Sequence, residues 1–258
     1  MKQAELTVLT NERIAEGTFE MRLSCEGTGF DLEPDRFIPG QFLHIKVGEA
    51  ERHMLRRPVS IADFDHNCIL TIIFKVSGTG TEQLSKQTPG RRVNALLPCG
   101  TGYPVDSMEL DTALLIGGGI GVPPLYYLGK TLASKGTKVL SVLGFQQASH
   151  VFYKEKFEEL GQTIIVTDDG SEGEKGLVTD SLAHLEEDFD YFFSCGPTPM
   201  LRAVTNKLSG RNGYISVEQR MGCGIGACYA CVVPTKEGNG YRKICKDGPV
   251  FAAGEVTL

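Results

Sequence analysis

Hydrophobic and polar positions change rhythm twice along the chain. Up to about residue 105, apolar residues come in short, partly alternating runs rich in β-branched and aromatic side chains. FEMRLSC (19–25), QFLHIKV (41–47) and CILTIIFKV (68–76) are the clearest, and turn residues part them in PGQF (39–42), DFDHN (63–67) and TPG (88–90). Short strands at this spacing predict a small antiparallel barrel.

From about residue 110 to 215 the pattern alternates between buried strands and amphipathic helices. TALLIGGG reads as a strand entering a glycine turn, and PPLYYLGKTLASKG as a helix with Pro124 in its first turn and Gly136 at its end. KVLSVLGF, TIIVTDDG and FDYFFSCG read as further strands. VFYKEKFEELG, LVTDSLAHLEED and TPMLRAVTNKLSG read as helices. Such alternation predicts an open parallel sheet covered on both faces. A short strand, YISVE, then leads into a cysteine-rich tail. The expected fold class is therefore β barrel plus α/β, with units at 1–106, 107–215 and 216–258.

Composition narrows the function classes. The 258 residues are 41% hydrophobic and 22% charged, enough to bury a real core. A net charge of -6 argues against nucleic acid or an anionic membrane surface as partner. No run of apolar residues is long enough to span a bilayer, and the start, MKQAELTVLTNERIAEG, has no apolar signal core. A cytoplasmic protein is expected, with reduced thiols, which weakens a disulfide reading of the eight cysteines. There is no internal repeat or low-complexity segment.

Candidate chemistry begins at the glycine turn IGGGIGVPP, Ile116 to Pro124. Between a strand and a helix, such a turn can face backbone N–H groups toward a phosphate, or merely permit close strand–helix packing. It is not the G-x-G-x-x-G fingerprint, and no acidic residue closes the next strand. SCGPTPM, at the end of a later strand, would share the same crevice because parallel strands end together. Cys195 is then expected to point into it, the plainer reading being a small buried hydrophobe. In MLRRPVSIA (54–62), Arg57 suits a phosphate and Ser60 a heteroatom, although adjacent arginines are usually solvated surface. KVSGTGT (75–81) offers N–H donors and hydroxyls, or a plain β-turn.

Cys223, Cys228 and Cys231 follow C-x4-C-x2-C, and thirteen residues separate Cys231 from Cys245. Zinc sites usually open with C-x2-C pairs on both sides, whereas this spacing is the plant-type [2Fe-2S] arrangement. Interleaved glycine and alanine let the backbone wrap closely and donate N–H to sulfur. Cys25, Cys68 and Cys99 have no partner spacing and read as structural. His44, His53, His66, His150 and His184 show no metal-ligand pattern.

In this order, LRRPVS, GGGIGVPPLY, TDDGS, RMGCGIGACYACVV and CKDGPVF resemble the ferredoxin reductase superfamily. More closely, they resemble the family of electron-transfer subunits of NAD-linked (class 1B) dihydroorotate dehydrogenases, over essentially the whole chain. The resemblance implies FAD on the barrel, NAD on the parallel sheet and [2Fe-2S] in the tail. It assigns Arg57, Pro58, Val59 and Ser60 to the flavin motif, Arg57 toward the pyrophosphate and Ser60 near the isoalloxazine. Phe74, Lys75, Val76, Thr79 and Gly80 match further flavin contacts. Gly118, Gly119, Gly121 and Pro124 match the nicotinamide–nucleotide loop, Cys195 and Gly196 lie where the nicotinamide approaches, and the four tail cysteines match the cluster ligands. Ser60 and Cys195 are the groups expected beside the hydride-transfer contact.

The resemblance further implies an FMN-containing dihydroorotate dehydrogenase catalytic subunit as partner, two of each chain per complex, with the cluster near the interface. Electrons would run from dihydroorotate through FMN, the cluster and FAD to NAD. R-P-V-S replaces the commoner R-x-[YF]-[ST], so Val59 cannot stack on the flavin, and no terminal aromatic covers the flavin face. QQASH after KVLSVLGF carries no arginine or lysine for a 2′-phosphate, which favours NAD over NADP. A related reading is the small subunit of an NAD-linked ferredoxin:NADP reductase. A different one is a zinc-stapled module that senses nucleotide without turnover.

Overall fold

The structure is a computed structural model describing the chain except residues 30–36, 49–53, 66, 186 and 239. His53 and His66, the latter in the DFDHN turn, lie outside the described residues.

The first third closes into a barrel. Its strands are β1 (Lys2–Ala15), β2 (Thr18–Ser24), β3 (Phe42–Ile45), β4 (Arg57–Asp65), β5 (Ile69–Lys75) and β6 (Arg92–Cys99). They run in the order β1-β2-β5-β4-β3-β6, every pair antiparallel, with β1 also closing on β6. Alternation explains the interior. Leu43, Ile45, Val59 and Ile61 point inward with Leu6, Leu23, Leu70 and Ile72 into one apolar cluster. Helix α1 (Thr79–Ser85) follows β5, so KVSGTGT leads into a helix rather than forming an isolated turn.

Next come β7 (Thr112–Gly118), α2 (Val122–Ser134), β8 (Lys138–Phe145), α3 (Lys154–Glu158), β9 (Gly161–Thr167) and β10 (Glu174–Lys175). After these follow α4 (Val178–Ser181), β11 (Tyr191–Cys195), α5 (Thr198–Lys207) and β12 (Gly213–Ser216). The tail adds β13 (Val232–Pro234), β14 (Tyr241–Lys243), α6 (Ile244–Asp247) and β15 (Val250–Ala252). The sheet order is β10-β9-β8-β7-β11-β12-β15, parallel except at the last pair. The tail thus lends the parallel sheet an antiparallel edge strand, while β13 and β14 pair separately.

Three expectations change. The helix read in LVTDSLAHLEED shrinks to Val178–Ser181. Its last turn tightens, with His184 N donating to Ser181 O, and the acidic end is drawn off as Glu187 pairs with Lys138 and Asp188 with Arg211. The helix in VFYKEKFEELG shortens to Lys154–Glu158, entered through Tyr153 at φ 64. Cys25 and Cys68 form a disulfide, against the expectation of reduced thiols. The β2–β5 register, which ends at Ser24 opposite Ile69, brings the two side by side, and Cys25 N donates to Cys68 O at 3.0 Å.

Candidate functional site

The arginine–proline–serine stretch opens β4. Pro58 lies opposite His44 and Ser60 opposite Phe42, so these four share the outer face of the barrel. Val59 points inward, and only its main chain can reach a ligand on the outer face. Phe74 likewise points inward, stacked on Phe19 at 5.9 Å between centroids. The two arginines do different work. Arg56 is tied down, donating to His44 O and Asn94 O at 3.2 Å each and to Asn94 Oδ1 at 2.5 Å. Arg57 donates to Leu55 O and lies over Gly80, where an added Cβ would sit 2.7 Å from its Nε and Nη2. RRPVS and GTGT, read separately in the sequence, are thus one constellation: a guanidinium held over a bare stretch of backbone. Thr79 is exposed beside it and Val76 N is bound to Gly17 O. That donor set fits the pyrophosphate of a dinucleotide such as FAD.

A cavity of about 670 Å³ lies at the carboxyl ends of the parallel strands. Lys75 and Thr18 of the barrel reach its wall, as do Gly118, Gly119, Gly196 and Asp168. Gly118 and Gly196 pack against the Met200 side chain, while Gly119 faces open space at φ 52. A Cβ on Gly118 would meet Met200 Sδ at 2.4 Å, and one on Gly196 would meet Met200 Cε at 2.6 Å. Gly121 is absent from the wall but packs on the end of β11, where its Cβ would strike Cys195 O at 2.3 Å. Pro124 is buried inside α2. The turn packs closely on β11 and also walls the crevice. The size and the small-residue lining suit a nucleotide.

Cys195 departs from expectation. Period-two alternation along β11 puts it on the same face as Phe193, fully buried in the core under α2, and Gly196 takes its place at the wall. Burial first, then the nearby Glu218 charge, pushes its thiol pKa far up against an opposing Ser216 hydrogen bond, so the thiol stays protonated.

Glu218 was not singled out in the sequence, although it ends YISVE. It follows β12 and lines the cavity with its side chain open to that space, and the surrounding cavity walls, by desolvating it, raise its carboxyl to about 7. The available signal was its place at the carboxyl end of a strand, beside the crevice.

The four tail thiols gather as two pairs. Cys223 contacts Cys228, and Cys231 contacts Cys245. N–H groups aim at sulfur: Gly226 to Cys245 at 3.2 Å, Cys228 to Cys223 at 3.3 Å, Ile225 to Cys223 at 3.5 Å and Cys223 to Cys228 at 3.5 Å. Burial raises the Cys223 thiol, but the Cys228 and Ile225 N–H groups outweigh it and hold it at about 6. Cys245, buried beside Cys231, is pushed up to about 12. Among the described residues no three His, Cys, Asp or Glu side chains gather as they would around a single ion. Two irons sharing four thiolates need two per iron, which the pairs supply, so the donor set fits [2Fe-2S]. Gly224 (φ 71) and Gly226 (φ 79) take the left-handed conformations that wrap the loop.

Among the described residues no helix is long and apolar enough to cross a membrane. Comparisons with known proteins agree with this geometry. Residues 218–257 match the iron-sulfur cluster binding domain of dihydroorotate dehydrogenase B, and residues 115–206 an oxidoreductase NAD-binding domain. A dihydroorotate dehydrogenase B (NAD(+)) electron transfer subunit from Shouchella clausii is 47% identical, with 100% of this chain and 99% of that one covered. One from Geobacillus thermodenitrificans is 49% identical, with 98% of each covered. The solved NADH-dependent reduced ferredoxin-NADP oxidoreductase superposes with TM-score 0.85 at 29% identity, over 98% of this chain and 90% of that one. An Amycolatopsis cytochrome P450 reductase shares the fold at TM-score 0.66 and 24% identity, over 80% of this chain and 65% of that one. The chain belongs to the family of dihydroorotate dehydrogenase B (NAD(+)) electron transfer subunits.

Proposed function

We propose that this chain carries electrons from dihydroorotate, oxidised in a partner subunit, to NAD+. The observation that carries the reading is the presence, in one chain, of two thiol pairs and a glycine-walled nucleotide cavity. A [2Fe-2S] cluster passes electrons singly, NAD takes a hydride, and FAD exchanges both ways.

The residues divide the labour accordingly. Arg57 holds the flavin pyrophosphate over Gly80, while Thr79 and the main chain of Val59, Phe74 and Val76 border it. Pro58 and Ser60, on the same outer face, flank the ring, with Ser60 hydrogen-bonding a ring heteroatom. Gly118, Gly119 and Gly196 let the NAD backbone approach the sheet, and Gly121 and Pro124 fix the turn that presents them. Lys75 lends positive charge to the same cavity. Cys195 acts by position, setting Gly196 at the wall, while its thiol stays in the core. Asp168, at the end of β9, offers a carboxylate to a ribose diol and repels a 2′-phosphate. Glu218 holds a proton near neutrality at the cavity wall. Cys223, Cys228, Cys231 and Cys245 hold the cluster.

The family name implies a catalytic partner. The finer reading is an FMN-containing dihydroorotate dehydrogenase, two copies of each chain, in the cytoplasm. Ile225, Tyr229 and Tyr241, exposed on the tail, supply an apolar face for it. We take 1–106, 107–215 and 216–258 as the flavin, NAD and cluster units.

The test is reconstitution. Chain and partner together should convert dihydroorotate and NAD+ to orotate and NADH, and the chain alone should not. Reduction of ferredoxin, with no turnover of dihydroorotate by any complex, would replace this reading by the ferredoxin:NADP one. A colourless chain holding only zinc would remove both.

A further inference from the structure

Among the described residues, His44 is the one buried histidine, and the fold places it between the two redox sites. It sits mid-strand on β3, fully buried, its ring nitrogens facing the main chain of Arg56 and Cys223 without reaching full hydrogen-bond geometry. Buried polar groups without partners are uncommon and costly, so a site that keeps one calls for an explanation. β3 is buried on both faces: Leu43 and Ile45 fill the barrel, while Phe42 and His44 face out. On that outer side His44 shares its face with Pro58, and with Ser60 one register step away. What covers it is the cluster loop. An added Cβ on Gly224 would lie 2.2 Å from His44 Nδ1, so the imidazole edge rests on the bare backbone between Cys223 and the next loop residue. The ring lies against the main chain of both Arg56 and Cys223. Arg56 in turn clamps the His44 carbonyl, holding the strand from behind.

We propose that His44 is a positioning residue that couples the cluster loop to the flavin strand, its ring holding the Cys223–Gly224 backbone against the segment that enters β4. This rests on the assignment of the two sites above, but concerns how they are joined rather than what they do. Occupancy of the flavin site steadies β4 and Arg56, and through His44 steadies the loop. By linkage the effect is reciprocal, so each group is held more tightly when the other is bound. Contacts weaker than an ordinary hydrogen bond give at most about 10-fold. An imidazole serving only as packing predicts the opposite sign: leucine in its place removes unpartnered nitrogens and leaves the loop at least as well held.

The experiment uses the complete cluster-loaded chain. The rate of iron loss to a chelator is followed by visible absorbance, with FAD bound and with FAD removed. FAD should slow the loss severalfold in the wild type. In His44→Leu that protection factor should fall to about one, with the protein still folded by circular dichroism. In His44→Gln, whose amide can still donate and accept, it should lie between. The reduced cluster's electron paramagnetic resonance spectrum should shift in the leucine variant and shift less in the glutamine one. Wild-type protection retained in His44→Leu, or no FAD protection in the wild type, overturns the proposal. Should His44→Leu hold no cluster, His44→Gln decides: a wild-type factor overturns the proposal and a reduced one supports it. Because iron loss and the resonance spectrum are read without dihydroorotate or NAD, failure of the proposed reaction would not be mistaken for failure of the coupling.

Discussion

Replacing Gly80 by alanine separates the flavin-binding role proposed for Arg57 from the stability of the barrel. The new methyl carbon would stand 2.7 Å from Nε and Nη2 of Arg57. Carbon contacts settle at about 3.5–4.0 Å, so the guanidinium must move by about 1 Å or swing away. The displaced group is the end of a flexible, half-buried side chain, so the fold itself has little to lose. Alanine is also the better helix former, by about 1 kcal/mol in a helix interior. The melting temperature of the FAD-free chain should therefore hold or rise. FAD binding should not: losing one charge-assisted hydrogen bond costs about 1.5–3 kcal/mol, or about 10- to 150-fold in affinity. Fluorescence titration of FAD into the stripped protein measures it, and a double-mutant cycle with Arg57→Ala assigns the cause. If the methyl acts through Arg57, Gly80→Ala changes little once Arg57 is alanine. Additive losses, or Gly80→Ala affinity within about twofold of wild type, would refute the argument, since no bond of that strength would then have been broken.

Cys228→Ser removes one member of a thiol pair; the cluster absorbance and dihydroorotate-to-NAD transfer should vanish together, while NADH oxidation by an artificial two-electron acceptor survives. Asp168→Ser should raise KM for NADH and lower it for NADPH, narrowing the preference by about tenfold, roughly the loss of one charge-assisted contact, as read from kcat/KM for each. Glu218→Gln should remove an inflection near pH 7 from the NADH oxidation profile, because the wild-type carboxyl, raised to about 7, loses its proton there. The native state holds that proton more tightly than the unfolded chain, so wild-type stability falls as pH rises from about 4.5 to about 7, and melting curves of the glutamine variant should lack that slope. Ile225→Asp should weaken the complex with the catalytic partner on gel filtration and leave NADH oxidation unchanged.

How much of this could be read from the chain follows from how local each signal is. The tail cysteines stand out because C-x4-C-x2-C brings three thiols into one loop, needing no knowledge of the fold. The glycine turn is visible because strand, glycines and helix are contiguous, and β8 spans the residues its hydrophobic run predicts. Arg57 and Gly80 lie in separate motifs 23 residues apart, and their meeting depends on the antiparallel β4–β5 pairing, which shows only in space. Cys195 was placed at the right strand end with the wrong facing, because a strand that is buried on both sides has no polar face to set its phase. The Cys25–Cys68 pair spans 43 residues and is set by strand register, which spacing does not encode. Glu218 and His44 are ordinary in sequence; what makes them chemical is the protein around them.

The tail shows why the cluster and the nucleotide fold come as one chain. Its loop of three thiols leans on the barrel through Gly224 and His44. The fourth thiol, Cys245, lies in α6, just ahead of β15, which is hydrogen-bonded into the edge of the parallel sheet beside β12. Thr101, at the end of the barrel, donates to Gly248 O at 2.6 Å, and Val217 to Pro249 O at 2.9 Å. Phe42 and Cys99 of the barrel share an apolar cluster with Ile116 and Phe192 of the sheet and with Ile244 and Phe251 of the tail. The two thiol pairs therefore meet only while barrel and sheet keep their mutual placement, the same placement that sets Lys75 and Gly118 around one cavity. A substitution that loosens the barrel–sheet seam without touching either site should then show itself first as a cluster that is lost more readily.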